Sequence, residues 1–212
     1  MSGTNSKAAR TAAARERMVR AALELIGEGG LSYATLARIG ERAGYSRGLA
    51  DYHFADKTAI VSEVVRLVVS EWSVAREPVE RQRLRGLEAL RTEIGAYFQR
   101  LTTNPLKSRV LLILTVDAMT VEPEIAEILA AHDRGYRRTF ARWIRQAKDD
   151  ADLPAGLDAD AAATLVQGAL RGVAYQWVLA PDAFDPLGMV ELVSGVLAGG
   201  LGAVDLTADA GR

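Results

Sequence analysis

The chain contains no cysteine, and only two of its 212 residues, His53 and His132, are histidine. The absence of cysteine excludes disulfides, thiolate metal sites and cysteine nucleophiles, and it fits a cytoplasmic location. The two histidines fall on separate segments, with neither the clustering of a metal site nor the spacing of a nucleophile and its base. We therefore expect no metal and no cofactor.

Long apolar runs are also missing, although hydrophobic residues make up 49% of the chain. The longest candidate, VLLILTVDAM, is interrupted by Asp117 and falls short of the ~20 residues that a membrane-spanning helix requires. The cationic N-terminus has no apolar core behind it, so we do not expect a secretory signal. The glycines of GEGGLS follow a helical pattern rather than a strand, which is the wrong context for a phosphate loop. These absences argue against an enzyme and against a membrane partner.

Charge is distributed unevenly along the chain, although the formal net charge is only −1. Residues 1–60 hold nine basic and six acidic side chains, whereas residues 61–212 hold 17 and 21. Five of the basic residues fall within the first twenty positions, where Glu16 is the single acid. A basic end on an otherwise acidic chain suggests that this end meets a polyanion such as nucleic acid, and a solvated tail is the alternative.

Apolar residues recur at helical spacing along almost the whole chain, and no alternating pattern suggests a strand. The spacing predicts an all-α fold. The first helix is predicted to end at GEGG, residues 27–30, and the helix after the third is predicted to begin with Asp56 as its N-cap. The segment over 106–120 is apolar nearly all round, which predicts a buried helix. The remaining predicted helices cover residues 35–43, 47–53, 84–101, 122–148, 161–179 and 187–197.

Two short helices joined through a glycine, over 35–43 and 47–53, have the spacing of a helix-turn-helix. Gly44 stands just past a helix end, where a positive φ is common, and Ser46 can cap the next helix. A short, cationic and aromatic surface on the second helix is suited to reading the major groove, whereas a plain helical hairpin is the alternative. The side chains that this arrangement leaves facing outward are Arg47, Tyr52, His53 and Lys57.

The stretch AALELIGEGGLSYATLARIGERAGYSRGLADYHFADKTAI, residues 21–60, resembles the N-terminal domain of the TetR family of transcriptional repressors. The matching positions are Glu28, Gly30, Thr35, Ile39, Ala43, Gly44, Ser46, Gly48, Tyr52, His53, Phe54 and Lys57. The resemblance implies a three-helix DNA-binding domain over 10–70 and a helical ligand-binding and dimerisation domain over 71–205. Members of that family are homodimers that bind a palindromic operator and release it when a small molecule enters the C-terminal domain.

The resemblance also implies which residues would contact DNA. Thr35 would contact phosphate, and Lys57 would add a cation at the start of a helix already suited to phosphate. Tyr52 and His53 would press on the DNA backbone or on base edges. The residues implied at the N-terminus of the recognition helix are Tyr45, Ser46, Arg47 and Gly48.

Three positions depart from the family pattern: Tyr45, Ala50 and Asp51. Ala50 and Asp51 stand where the family has a larger apolar residue and often a tyrosine. Tyr45 stands where the family usually has valine, so a core position for its ring is the alternative to a DNA contact. Asp51 would repel phosphate, so it either pairs with Arg47 at the i, i+4 spacing or accepts from a cytosine amino group. His53 has capping or packing near Phe54 as its alternative.

The last two predicted helices are the candidate dimer interface. Gly168 and Gly172 are four residues apart in one helix, and Gly195 and Gly199 are four apart in the other. Residues without a side chain let two helices approach closely. Two such helices per subunit would make the four-helix bundle that the resemblance implies, and packing within one subunit is the alternative.

A small-molecule effector would need an apolar cavity with a few inward-facing polar groups. Asp117 and Arg171 are informative, because each lies in an apolar context where an unpaired charge is costly to bury. They either pair with each other or face the cavity, where Asp117 beside a tryptophan would favour a cationic ligand and Arg171 a carboxylate. The candidate lining residues are Trp72, Tyr97, Asp117, Tyr136, Phe140, Trp143, Arg171 and Tyr175, for whose rings ordinary core packing is the alternative.

These patterns together predict a non-enzymatic regulator whose partners are an operator in double-stranded DNA, a small hydrophobic or amphipathic effector and a second copy of the chain. A helical architectural protein without an effector response is the alternative. The two differ in that a specific repressor needs a palindrome and loses affinity steeply with salt.

Overall fold

The computed structural model describes residues 3–46, 48, 52–74, 82–118 and 123–203, most of which are α-helical. No strand occurs within these ranges, so the predicted all-α fold is confirmed. A short 3₁₀ turn, Leu187–Met189, precedes the last helix. The α-helices are α1 Gly3–Tyr33, α2 Leu36–Arg42, α3 Lys57–Val74, α4 Gly86–Thr103, α5 Pro105–Asp117, α6 Pro123–Asp149, α7 Ala159–Leu179 and α8 Val190–Gly202.

Side-chain caps fix the starts of α3 and α7. Asp56 accepts the N–H of Ala59 at 2.8 Å, which confirms the predicted cap of α3. Asp158 accepts two backbone amides at the start of α7, at 2.9 and 3.2 Å. Because these amides favour the charged carboxylate, they lower the pKa of Asp158.

Helix α1 is interrupted at Gly30, whose φ of 79° and ψ of −178° are not helical. Glycine adopts such a positive φ without steric cost. The Asp117 carboxylate, at the end of α5, accepts the Leu31 N–H at 3.1 Å and so satisfies a donor at this break. The helix therefore breaks within the predicted GEGG, and the structure adds one further turn that ends at Tyr33.

The chain forms two compact units. The first comprises Met1–Glu71 and Leu106–Ala130, and the second comprises Trp72–Pro105 and Ala131–Arg212. The first unit thus includes α5, which lies far along the chain from the other helices of that unit. The domain limits of 10–70 and 71–205 stay a prediction, and their boundary at residue 71 falls where the first segment of the first unit ends.

The core of the first unit is built from single faces of α1, α3 and α5 rather than from any fully buried helix. Val110 and Leu114 of α5 are buried, whereas Val116 is 52% exposed. The prediction of a buried helix is therefore wrong for α5, because the neighbouring helices cover only part of its apolar surface. Even so, none of the described helices has both the length and the apolar content that a membrane crossing requires.

The core of the second unit is dense in rings and branched aliphatic side chains from α4, α6 and α7. Phe98, Phe140, Ile144 and Leu170 are all fully or almost fully buried. Burial of each such side chain contributes roughly 1.5–3 kcal/mol relative to an exposed one. These helices therefore form a well-packed frame for the polar groups that lie between them.

Candidate nucleic-acid interface and effector site

The turn after α2 has the predicted left-handed glycine. Gly44 has a φ of 77°, and a Cβ added there would meet nothing within 4 Å, so the backbone conformation and not space requires glycine. The Gly44 N–H donates to the Glu41 carbonyl at 3.0 Å, and the Tyr45 N–H donates to the Gly40 carbonyl at 2.8 Å. This pair of bonds is the Schellman arrangement, which ends α2 and redirects the chain.

The ten residues after this turn, 45–54, are here called the recognition segment. Within it, residues 48, 52 and 53 are helical. Arg47 and Asp51 lie outside the described residues, and with them the predicted DNA contact of Arg47 and the predicted pair between the two. Ser46 and Gly48 are exposed.

The far end of the recognition segment carries an exposed ring. Tyr52 is 76% exposed, and its ring meets that of the half-buried His53 edge-to-face, with centroids 5.4 Å apart. Lys57 is half-buried at the start of α3. Thr35 is exposed and its hydroxyl accepts the Arg38 N–H at 3.3 Å, which leaves its O–H able to donate to another group.

Tyr45 lies closer to the protein than the other members of the predicted set. Its side chain is half-buried, its hydroxyl is enclosed, and the guanidinium carbon of Arg17 lies 4.8 Å from its ring centroid. This placement favours the core alternative over a DNA contact for Tyr45.

Helix α2 is held on α1 by a surface ion pair. The Arg42 guanidinium donates to both carboxylate oxygens of Glu28, at 2.7 and 2.9 Å, and to Glu24 at 3.4 Å. The pair lowers the pKa of Glu28, chiefly through the hydrogen bond from Arg42. Glu28 is one of the residues that carry the family resemblance. Through this ion pair it helps to hold α2, the first helix of the helix-turn-helix, against α1.

Arg15 contacts three parts of the first unit and is a functional candidate that sequence reasoning missed. One terminal nitrogen donates to the His53 carbonyl at 2.6 Å, and the other pairs with the Glu63 carboxylate. The guanidinium carbon also lies 4.4 Å from the ring centroid of Phe54, which is buried. The partners of Arg15 are 38 and 48 residues away, so only its position in the basic N-terminal segment could have drawn attention to it.

The second unit contains a buried polar cluster, defined by Glu93, Tyr97, Arg100 and Tyr136. Glu93 is 1% exposed and accepts from Arg100 at 2.6 Å and from the Tyr136 hydroxyl at 3.2 Å. Arg100 also donates to the Tyr136 hydroxyl at 3.1 Å. Burial raises the pKa of Tyr97 to about 12, so this phenol is neutral at physiological pH.

Four of the predicted effector residues are core rings of the second unit. Tyr97, Tyr136, Phe140 and Trp143 are buried, and ring contacts link Tyr136 to Phe140 at 5.6 Å and Phe140 to Trp143 at 6.0 Å. Tyr175, by contrast, is 50% exposed on α7. The side chain of Trp72 lies outside the described residues.

Asp117 and Arg171, whose pairing the sequence leaves open, have different partners. Arg171 forms a two-pronged pair with Asp133, one contact of which measures 2.8 Å. Asp117 belongs to the first unit, where it accepts the Leu31 N–H. The carboxylate that neutralises Arg171 was missed because Asp133 lies 38 residues away, on α6.

Two open grooves are lined by described residues, one of about 750 Å³ in the first unit and one of about 310 Å³ in the second. None of the seven predicted effector residues whose side chains the structure describes lines either groove. The four predicted rings named above are buried in the core of the second unit and line neither of these two grooves.

The outer faces of α7 and α8 expose aliphatic side chains beside glycines. At 100° per residue, the exposed residues of each helix fall on one stripe. An added Cβ at any of the four glycines would meet nothing within 4 Å, so packing within the chain does not require them. The stripe consists of Leu165, Gly168, Gly172, Tyr175 and Leu179 on α7 and of Leu192, Gly195, Val196 and Gly199 on α8.

Two family models match the chain and cover both of its functional parts. Residues 18–64 match the bacterial regulatory proteins of the tetR family, and residues 86–202 match the C-terminal part of BetI-type transcriptional repressors. The chain belongs to the TetR family. The helix-turn-helix and the all-helical C-terminal part are therefore those of a DNA-binding transcriptional regulator, and the TetR-family relatives found are regulators rather than enzymes.

The relatives cover most of the chain at low identity. The HTH-type transcriptional regulator BetI 1 of Chromohalobacter salexigens is 27% identical over 81% of this chain and 82% of its own length. SmeT, the repressor of the Stenotrophomonas maltophilia multidrug efflux pump SmeDEF, has a TM-score of 0.72 at 22% identity, covering 93% of this chain and 96% of its own.

The crystal structure of a third similar protein contains a bound ligand. The transcriptional regulator FadR from Bacillus subtilis, in complex with stearoyl-CoA, has a TM-score of 0.73 at 20% identity. The similarity covers 87% of this chain and 98% of FadR. At this identity the likeness shows the TetR fold alone.

Proposed function

We propose that this TetR-family chain is a cytoplasmic, homodimeric repressor that binds a palindromic operator and releases it when a small hydrophobic or amphipathic effector binds. The observation that carries the DNA part of the proposal is the exposed Tyr52 on a helical segment that follows the Gly44 turn. A ring that is 76% exposed packs only partly within the chain, through its edge-to-face contact with His53, and at this position it is suited to contact a groove or backbone.

The DNA contacts follow from the surface around Tyr52. Ser46, Gly48 and Thr35 are exposed and small, so phosphates can approach the backbone closely there. Lys57 supplies a cation at the start of α3. Together with Arg47 and His53 these residues form the proposed reading face, whereas Tyr45 is assigned to packing against Arg17.

The homodimer is supported by the stripe on α7 and α8. A face of leucine, valine, tyrosine and open glycines is costly to leave in water, and packing against the same face of a second copy would bury it. We assign Tyr175 to this interface rather than to an effector site, because it is half exposed on the same stripe. Dimerisation also explains a palindromic operator, since two-fold symmetric proteins read two half-sites.

The effector part of the proposal is supported by the chemistry of the second unit. Tyr97, Tyr136, Phe140 and Trp143 offer apolar surface, and the partly buried Arg171, which is paired with Asp133, offers a cation in the same unit. FadR, of the same fold, holds stearoyl-CoA, a ligand with a long apolar chain and anionic groups. An effector acts only if it prefers the conformation that does not bind DNA, and reversing a 1:99 balance needs a ~10⁴-fold preference.

The DNA proposal is tested by a gel-shift titration of the chain against DNA from upstream of its own gene, at several salt concentrations. We expect one palindromic site to be bound far more tightly than scrambled DNA, with affinity that falls steeply as salt rises. Lys57→Ala should weaken binding and reduce the salt slope by about one. Arg145→Ala, which removes an exposed cation from the second unit, is the matched control and should change neither.

The effector proposal is tested by a thermal-shift screen with acidic, cationic and neutral hydrophobic compounds. A compound that binds the folded chain raises its unfolding temperature, and the proposal requires the same compound to release the operator. DNA binding that shows no preference for a palindrome and that no compound in the screen reverses would favour the architectural alternative.

A further inference from the structure

The recognition segment is held at its C-terminal end by one guanidinium. Residues 52 and 53 are helical and Phe54 is not, so the His53 carbonyl lies at a helix end, where carbonyls lack partners within the helix. Arg15 donates to this carbonyl at 2.6 Å. A cation at a helix C-terminus is also favoured by the helix dipole.

The same guanidinium is fixed by two further contacts. Its second terminal nitrogen pairs with Glu63 on α3, and its central carbon lies over the buried Phe54 ring, 4.4 Å from the ring centroid. A planar guanidinium can make both hydrogen bonds and the ring contact at once, whereas a lysine ammonium is a point charge that cannot. The three contacts therefore define where the recognition segment ends relative to α1 and α3.

The position of Arg15 separates it from the reading face. Its guanidinium is turned towards the His53 carbonyl, Phe54 and Glu63, and its charge is neutralised by that carboxylate. Exposed cations such as Arg20, which has a side chain 69% exposed on the same helix, lack this set of contacts. A residue with these contacts affects DNA binding by orienting Tyr52 and His53, not by contacting a phosphate itself.

We infer that Arg15, together with Glu63, is a positioning residue for operator recognition, which fixes the angle at which the recognition segment meets DNA. The inference rests on the proposed DNA-binding function. It predicts that loss of the Arg15 contacts lowers specific affinity while non-specific affinity and the salt dependence remain as they are. A phosphate-contacting cation would instead lower both affinities and reduce the salt slope by about one.

The test compares Arg15→Lys, Glu63→Gln and the control Arg20→Lys by fluorescence anisotropy with operator and scrambled DNA. We expect Arg15→Lys to weaken operator binding by about tenfold, a loss typical of one charge-assisted hydrogen bond, and to leave scrambled DNA unaffected. Glu63→Gln should fall between Arg15→Lys and wild type, because it removes the charge from one of the three contacts but keeps an oxygen that can accept from Arg15. Arg20→Lys should match wild type.

A second measurement does not depend on DNA. Hydrogen–deuterium exchange of peptides covering residues 52–60 should speed up by about tenfold in Arg15→Lys, because the helix end has lost its anchor, while peptides of α4 exchange as in wild type. If wild type ignores the operator, the proposed function fails, and faster exchange would still support the anchor. If wild type binds its operator and Arg15→Lys binds and exchanges equally well, the positioning role is overturned. An equal loss of affinity for operator and scrambled DNA would also overturn it, since that marks a phosphate contact.

Discussion

In the first unit the ion pairs that join helices, Arg15–Glu63 and Arg42–Glu28, are partly exposed. In the second unit Glu93 is buried, the side chain of its partner Arg100 is only 11% exposed, and the last two helices expose leucine and valine. Charge at the surface and apolar side chains inside is the ordinary arrangement of a globular protein. The second unit departs from it in two places, the Glu93–Arg100 pair and the apolar stripe of α7 and α8. Both departures are costly, so each must be offset by further interactions.

The two departures have different consequences. Exposed apolar side chains would be covered by the proposed second copy, and their cost would then be removed on association. A buried ion pair is removed from water in every state, and it holds a unit together only while both members are present. We therefore expect the state of the apolar stripe on α7 and α8 to depend on protein concentration. We expect the stability that the buried polar cluster contributes to depend on keeping both Glu93 and Arg100.

The largest effect is expected for Glu93→Ala, which leaves Arg100 as a buried charge without its carboxylate. We expect the free energy of unfolding to fall by roughly 3–5 kcal/mol, measured by urea denaturation. Glu191→Ala is the matched control, because its pair with Arg91 is well exposed and should contribute less than about 1 kcal/mol. Equal losses for the two variants would contradict the distinction between buried and exposed charges.

The next effect is expected for Leu179→Glu, which places a carboxylate on the stripe of α7, where Leu179 is 69% exposed. By symmetry a dimer would bury two such charges, so we expect self-association to weaken by at least ~100-fold in sedimentation equilibrium. Val116→Glu alters a similarly exposed valine in the first unit and should leave association unchanged. If the wild-type chain is itself monomeric, the stripe is not a dimer interface and this prediction is contradicted.

Gly172→Ala is expected to have opposite effects on the monomer and on the dimer. A Cβ there meets nothing in the isolated chain, so better helix propensity should stabilise the monomer by about 1 kcal/mol. If the glycine lies against a second copy, the same methyl group weakens association. Urea unfolding at low and high protein concentration separates the two effects. Gly95→Ala on α4, where an added Cβ has ordinary room, should stabilise at both concentrations.

The smallest effect is expected from the cap of α7. Because the folded-state pKa of Asp158 is lowered, its contribution to stability is present above its ordinary pKa of 3.8 and is lost as pH falls through the lowered value. Asp158→Asn keeps an acceptor at the cap but cannot titrate, so its unfolding temperature should fall less steeply below pH 3.8 than that of wild type. Asp182→Asn, in an exposed turn, controls for the change in net charge.

Local rules predicted the parts of the fold that depend on neighbouring residues. The helices, the left-handed Gly44 and the Asp56 cap each follow from chemistry within about four residues, where helical hydrogen bonds and caps act. The limited burial of α5 was missed because periodicity reports how apolar a helix is, not how many neighbours cover it. The exposure of Val116 depends on how the helices of the first unit pack together.

The long-range partners could not be predicted in the same way. Arg15 and Glu63 are 48 residues apart, Arg171 and Asp133 are 38 apart, and no sequence period links either pair. Such contacts depend on which helix faces are turned towards each other. The predicted DNA-contacting residues rest on a motif with fixed local spacing, whereas the effector residues rest on residue type alone.

The hydrogen bond from Leu31 to Asp117 joins positions 86 residues apart, and it has a consequence for biosynthesis. The first unit takes in α5 and the start of α6, so its packing cannot be completed until the ribosome has made residues up to Ala130. Contacts that close such long stretches of chain form slowly. A nascent chain that ends near residue 70 would therefore expose the apolar side of α1, and we expect it to depend on chaperones until α5 emerges.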